Sequence, residues 1–437
     1  MITITHITPH LGGGIGKALS GILCYEKINN PKHNHKIIVL DKPENRQFID
    51  ILEQAGIEII FSKNLQAIEF EIQNSDIVIM HWWHHPLNAW LLAKFPKIEC
   101  RFILWSHING CTYPMLPFKL VEKVHKAFFT SNYTMYNPYW TSSQQNFAQK
   151  HARVIFGLGQ LDNLPFEYSF QKSFDFTVGY VGTLNFSKLN PDFVDYCYEV
   201  VKRVPNAKFV MVGAPDEKDK ILNQAKQYNI QDRFNFIGYT NNVNDVLKTF
   251  DVFGYPLNNW HFGTTENAIL EAMNATVPVV ALNQCSERFL IKHNETGFLA
   301  NSKEHYGRIM KMLAKNLALR ICITTNAKQM LSENFVMQKN ILNMRDAFAN
   351  VLNLDKRIFN FTPITGNEPH EWFLNFLGED KNIFLENDIE EISNCREILK
   401  EETKSSPMHF LSYFPEDKIL QKWSKIIKDS KQEKLLL

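Results

Sequence analysis

Short apolar runs alternate with helix-length segments twice over along this chain, and that alternation restricts the fold more than any other feature. The first series runs Ile2 to Ile7, Ile37 to Leu40, Ile57 to Phe61, Ile77 to His81, Phe102 to Ser106 and Phe128 to Ser131. The second runs Phe176 to Gly182, Phe209 to Val212, Phe234 to Ile237, Val252 to Tyr255 and Pro278 to Leu282. Strands that are apolar throughout and separated by helices belong to parallel sheets covered on both faces. The expected fold class is therefore α/β, with two doubly wound lobes. At 437 residues the chain is too long for one core. The expected boundaries are 1–170 for the first lobe, 171–351 for the second and 352–437 for a mainly helical C-terminal extension. Gln160 to Asp175, with Pro165 and few periodic apolar positions, reads as the connector, and Asn190 before Pro191 reads as the start of a helix reaching Val204.

Charge excludes some partners. Lys and Arg number 47 against 46 Asp and Glu, so no net field draws the chain onto nucleic acid or an anionic membrane, and any anion site must be local. The seven Cys are scattered and include no CxxC pair, which argues against a disulfide framework and a zinc site and for a reducing compartment. The start, MITITHITPHLGGG, reads as a first strand and not a signal peptide. Apolar runs fall far short of the ~20 residues of a spanning helix, so the expected location is cytoplasmic, with peripheral membrane contact left open.

Four constellations can carry chemistry. LGGGIGKAL, Leu11 to Leu19, follows the first strand; Gly13 and Gly14 let backbone approach a ligand, and a tight strand-to-helix turn explains them equally well. It is not an ATP-binding loop of the Walker type, because Ala18 stands where a hydroxyl is needed. GYVGTLNFSKLNP ends the first strand of the second lobe, where Gly182 permits a close turn and Lys188 can neutralise a diphosphate. YPLNNWHFGTTENAILEAMNATVPVVAL, Tyr255 to Leu282, gives a strand, a loop with Gly263, a cap from Thr264 or Thr265, and a helix whose first amides suit phosphate. Its carboxylates, Glu266 and Glu271, are five apart and do not share a helical face, which favours separate hydroxyl-binding roles over a metal or paired acid/base site. HWWHHP, His81 to Pro86, and LWSHINGC, Leu104 to Cys111, place aromatics and imidazoles at the edge of the first sheet; His81, Trp82 and His107 suit a sugar ring and its hydroxyls, while buried core roles remain open for the tryptophans.

GTTENAILEAM followed by VPVVAL resembles the donor-binding core of the group-1 (family 4) retaining glycosyltransferases, which have two Rossmann-like lobes in the GT-B fold. The resemblance is strongest from about Thr177 to Ala300, where YVGTL, FVMVG, FNFIGY, DVFGYPL, LEAM and ETGFLA occur in the family's order. It implies a nucleotide-diphosphate sugar on the second lobe, a saccharide or glycolipid acceptor on the first, no metal and no further cofactor. Residue by residue, Lys188 matches the diphosphate-binding Lys, Glu271 the ribose-binding Glu, and Asn267 and Ala268 the helix-start amides on phosphate. His107 matches a His lining the donor sugar, and Gly13 and Gly14 the acceptor-side turn. Two positions depart from the pattern: Thr183 stands in place of a diphosphate-binding Arg, and Gly263 in place of the first Glu. Glu266, three residues on, is the candidate to supply the missing carboxylate.

The reaction these matches imply is front-face transfer, with Lys188 and the helix start from Thr265 to Ala268 stabilising the leaving diphosphate. Lys188→Ala is then expected to cut turnover by orders of magnitude with the fold intact. The rivals are a nucleotide-sugar epimerase or sugar phosphorylase on the same architecture, and a non-catalytic sugar-binding or assembly subunit. A nicotinamide dehydrogenase is weaker, because LGGGIG does not match the dinucleotide fingerprint.

Overall fold

A computed structural model describes residues 1–42, 45–158, 174–215, 217–240 and 242–436, with side chains as far as 431. Most of the expected connector, 160–173, lies outside the described residues. The chain divides into two compact units, Met1–Gln160 with Asn340–Leu437, and Leu161–Lys339.

The first unit is built on strands β1 (Ile2–Thr8), β2 (His33–Val39), β3 (Glu58–Phe61), β4 (Ile77–Trp82), the two-residue β5 (Glu99–Cys100), β6 (Phe102–Ser106), β7 (Lys126–Phe129) and β8 (Ala152–Val154). Seven of these form a parallel sheet in the order β3-β2-β1-β4-β6-β7-β8. The second unit carries β9 (Phe176–Val181), β10 (Ala207–Val212), β11 (Phe234–Gly238), β12 (Val252–Tyr255), β13 (Val279–Leu282) and β14 (Phe298–Ala300), in the parallel order β11-β10-β9-β12-β13-β14. Both sheets are doubly wound, and each reverses its strand order once, between β1 and β4 and between β9 and β12. Ligands of such sheets bind outside the carboxyl ends of the strands at that reversal. The segments after β1, β4, β9 and β12 lie there, two on each unit, and LWSHINGC runs on from β6, the strand next to β4.

The central strands are apolar on both faces because helices cover both faces; β4, β6, β12 and β13 are buried at every residue. The three-residue strands β8 and β14 escape a reading based on apolar runs, being too short to show one. The expected helix Pro191 to Val204 is Phe193–Val201. The Asn190 carboxamide accepts from the Asp192 amide and donates to Leu257 O, so it ties down the preceding loop instead of capping the helix.

The division falls at 339/340, not 351, for identifiable reasons. Asn340 exchanges two hydrogen bonds with the Phe156 backbone (2.8 and 2.9 Å), Arg345 pairs with buried Glu26 at 2.8 Å, and the Phe348 ring packs on His33, His35 and Phe128. The segment beyond 351 is mainly helical and continues that packing. Phe359 and Phe361 lie against Phe102, β15 (Arg357–Ile358) pairs antiparallel with β5, and Trp372, Phe373, Phe376 and Phe410 are buried. Among the described residues no helix is long and apolar enough to cross a membrane.

Candidate functional site

In the second unit the loops after β9 and β12 are sewn together. Asn190 N donates to Pro256 O (3.1 Å), Asn258 N to Lys188 O (2.8 Å) and Asn258 Nδ2 to Phe186 O (2.8 Å), and Leu189 bridges Leu257. Two loops some 70 residues apart in sequence are thus held in register at the strand reversal, and this fixes Lys188 beside the loop that carries Glu266.

Lys188 Nζ lies 3.2 Å from Glu266 Oε2 and 5.7 Å from the centroid of the Tyr255 ring. Glu266 is not the first-turn surface charge its sequence position allows: its side chain is only 3% exposed. The Tyr255 hydroxyl donates to Glu266 Oε2 at 2.8 Å, and the Tyr255 ring stacks on Tyr180. Burial alone would raise the Glu266 carboxyl, but Lys188 and His261 outweigh it and hold the group below the ordinary carboxylate range. His261 sits 3.7 Å from Glu266 and 3.0 Å from Glu287, both carboxylates buried. Its Nδ1 contact with the Gly263 amide (3.1 Å) suits a neutral ring and its two carboxylates suit a charged one. Burial disfavours the charge, but Glu287 overrides it and lifts His261 well above its usual value. The two buried carboxylates are thus met by the Lys188 ammonium, the Tyr255 hydroxyl and the His261 ring, the kind of partners that buried carboxylates require.

The position of Glu266 explains Gly263. A Cβ built on Gly263 would fall 1.6 Å from Glu266 Oε1, so the Glu266 carboxylate occupies the space into which a side chain at 263 would project. Glu266 reaches it from a left-handed backbone (φ 41°), uncommon for a non-glycine residue and a sign of local strain. Because of that turn, neither Thr264 nor Thr265 is the N-cap of the helix Asn267–Asn274. Glu266 occupies that position, and its side chain, engaged elsewhere, does not cap. Thr265 is buried, Thr264, Asn267, Ala268 and Glu271 are half-buried around the helix, Gly182 follows β9 with φ 155°, and Thr183 is exposed. If Glu266 owes its place to the missing side chain, Gly263→Ala displaces the carboxylate from its packed position and should cost about 1–3 kcal/mol of stability, measured by urea denaturation.

In the first unit Gly13 has φ 57°, and a Cβ at Gly13 or Gly14 would meet nothing within 4 Å, so this turn faces open space. His81 and Trp82, expected at the sheet edge, are both fully buried, Trp82 against Phe376 of the C-terminal segment. Strand alternation and the covering helices put them in the core, and the half-buried aromatic is Trp83. His107, also half-buried, ends a line of four histidines. His107 Nε2 to His81 Nδ1, His81 Nε2 to His6 Nδ1 and His6 Nε2 to His35 Nδ1 are each 2.9 Å. The register makes this line: His6 pairs with Ile37 and Ile79, His81 with Trp105, and each step to the next strand advances two residues on one face. Burial holds His6 and His107 at a pKa of about 3. Near its end Glu26, His33 and His35 place ligand-type atoms within 4.8 Å of one another, but the Glu26 carboxylate is already held by Arg345.

Sequence reasoning found Lys188, Gly263 and Glu266 but not Tyr255, His261 or Glu287 as their partners. His261 and Glu287 are 26 residues apart and carry no motif; only the fold joins them.

Comparison with known proteins agrees with this geometry. The family model for glycosyl transferases group 1 matches residues 167–330, the unit that holds the Lys188–Glu266 pair. The chain is 30% identical over 290 residues to an uncharacterised glycosyltransferase from Haemophilus influenzae, covering 64% of this chain and 77% of that protein. In fold it is similar to Anabaena HepE in complex with UDP-glucose (TM-score 0.60, 16% identity, 80% of this chain and 100% of that one). It is also similar to a TarM variant from S. aureus in complex with fondaparinux, alpha-GlcNAc-glycerol and UDP (TM-score 0.62, 12% identity, 81% and 100%). The two doubly wound sheets are those of the GT-B fold, and with the matched second unit and the Haemophilus relative they place the chain among the group 1 glycosyltransferases.

Proposed function

We propose that the chain is a retaining, metal-independent transferase that moves a sugar from a nucleotide-diphosphate donor to the hydroxyl of a saccharide or glycolipid. The observation that carries this reading is the pairing of half-buried Lys188 with buried Glu266 at the strand reversal of the second unit, with the carboxylate filling the space left by Gly263. Lys188 and the helix start at Thr265 to Ala268 meet the diphosphate as the anomeric carbon–oxygen bond breaks. Charge that develops there is stabilised by groups already in place. Glu271 takes the ribose hydroxyls and Glu266 hydrogen-bonds the transferred sugar. Gly182 and Thr183 leave room for the nucleotide. A new bond forms between the acceptor oxygen and the anomeric carbon on the face the diphosphate leaves, and the acceptor proton passes to the departing phosphate oxygen. Lys188 supplies the compensating charge, so no metal is invoked. UDP occurs in the HepE and TarM structures and is the first nucleotide to test. The seven cysteines, all unpaired, suit a reducing, cytoplasmic setting.

Incubation with UDP- and GDP-sugars, with and without oligosaccharide, separates the alternatives. Nucleotide release coupled to a product of retained anomeric configuration supports the transferase. An isomerised donor points to an epimerase, and no turnover points to a non-catalytic subunit.

A further inference from the structure

Lys188 and Glu266 hold each other, yet in the transferase reading the donor uses each of them. The Glu266 carboxylate is the fixed member of the pair: its side chain is 3% exposed, and its Oε1 stands where a side chain at 263 would begin. Its Oε2 takes two partners at once, the Tyr255 hydroxyl at 2.8 Å and the Lys188 ammonium at 3.2 Å. Tyr255 is fixed as well, being fully buried and stacked on Tyr180 and on Phe253. Lys188 is the member that can leave. Its backbone is pinned, because Lys188 O accepts from the Asn258 amide and Leu189 bridges Leu257. Its side chain, 30% exposed, is a flexible four-carbon stem that rotates without breaking either tie.

Binding of a donor is then an exchange. A diphosphate draws the ammonium off Oε2, and the oxygen keeps the Tyr255 hydroxyl but has lost one of the two donors on its lone pairs. An intact nucleotide sugar supplies the replacement, because a sugar hydroxyl donates to Oε2. A nucleoside diphosphate has no such group and leaves a buried carboxylate short of a partner, which costs more than an ordinary hydrogen bond contributes. Among the described residues no other carboxylate lies within 4.0 Å of the Lys188 ammonium, so this one contact decides how firmly it is held. Tyr255 acts on that contact through its two parts. The hydroxyl lessens the dependence of Glu266 on Lys188, and the ring, with its centroid 5.7 Å from the ammonium, attracts the cation by its face.

We infer that the Lys188–Glu266 contact selects the intact nucleotide sugar over the nucleoside diphosphate product, and that Tyr255 is the positioning residue that sets how firmly Lys188 is held. This rests on the transferase reading for the identity of the ligand. The test is isothermal titration calorimetry of the full chain with UDP, UDP-glucose, UDP-galactose, UDP-N-acetylglucosamine, GDP and GDP-mannose. The unaltered chain should bind one nucleotide sugar about tenfold or more tighter than the matching diphosphate. Glu266→Gln keeps the shape and releases Lys188, so it should bind that diphosphate about tenfold more tightly and lose the preference. Tyr255→Phe keeps the ring but makes the carboxylate depend more on Lys188, so it should bind the diphosphate about tenfold more weakly. General damage to the site would weaken both variants, whereas exchange requires shifts of opposite sign. Adding Tyr255→Phe to Glu266→Gln should then change nothing further, with all variants checked as folded by near-UV circular dichroism. A diphosphate bound by the unaltered chain as tightly as every nucleotide sugar overturns the inference and leaves the transferase reading standing. Shifts of the same sign in the two folded variants, or unchanged diphosphate affinity in both, do likewise. Binding of no nucleotide at all removes the transferase reading and this inference with it.

Discussion

Lys188→Ala should lower turnover by roughly a thousandfold, because a unit charge ~4 Å from charge developing at the transition state is worth about 4 kcal/mol at an effective dielectric of 20. The structure adds a second consequence that the sequence did not suggest. Lys188 is the ammonium partner of a carboxylate whose side chain is 3% exposed. Removing one member of such a pair leaves a buried charge uncompensated and typically costs about 3–5 kcal/mol, here reduced by the remaining Tyr255 and His261 contacts. The expectation that this variant keeps its fold intact therefore gives way to one in which it loses rate and stability together. Lys188→Met combined with Glu266→Gln removes both charges and should restore melting temperature without restoring rate. Chemical denaturation and donor turnover of the two variants check this. Near-normal turnover in a folded Lys188→Ala protein would remove Lys188 from the mechanism.

A second large effect is expected in acid. His6 and His84, both fully buried, are held at a pKa of about 3 by burial, against an ordinary value of 6.5. Their folded pKa lies below the unfolded one, so below pH 6.5 the unfolded chain binds more protons than the folded chain. The stability they contribute is fully present above that pH and is lost progressively as pH falls toward 3. Between pH 6.5 and 5.5 each group costs about 1 kcal/mol, or about 2 kcal/mol for the two. Urea denaturation at pH 7.5, 6.5 and 5.5 should show that loss, and a midpoint unchanged down to pH 5.5 would mean that these imidazoles are not buried as described.

Much of the architecture was legible because apolar runs report doubly covered strands directly. Eleven runs identified eleven strands of the two parallel sheets, and the constellations fell at the strand ends. What escaped was set by contacts distant in sequence. Nothing local says that Asn340 binds Phe156 or that Arg345 meets Glu26, and those contacts carry the helix after Lys339 into the first unit. The same holds at the sites. Gly263 and Glu266 could be named from their spacing, but the buried carboxylate depends on a left-handed turn at 266, and its partners Tyr255 and His261 on tertiary packing. His81 and Trp82 are buried because β4 is covered on both faces, whereas Trp83, just past the end of the strand, is half-buried, and the run alone does not show where the cover ends. The histidine line follows from strand register, which an isolated run does not reveal.

The central claim is that the second unit binds a nucleoside diphosphate through Lys188, and thermal stability with UDP, GDP, ADP and NAD in turn, with and without magnesium, tests it most directly. At a hundred times its dissociation constant a ligand adds about 2.7 kcal/mol, on the order of several degrees in melting temperature. The account predicts a rise with one nucleoside diphosphate, UDP first among them, independent of magnesium and lost in Lys188→Met/Glu266→Gln. No rise with any nucleotide, or a rise that survives the double substitution, would contradict it.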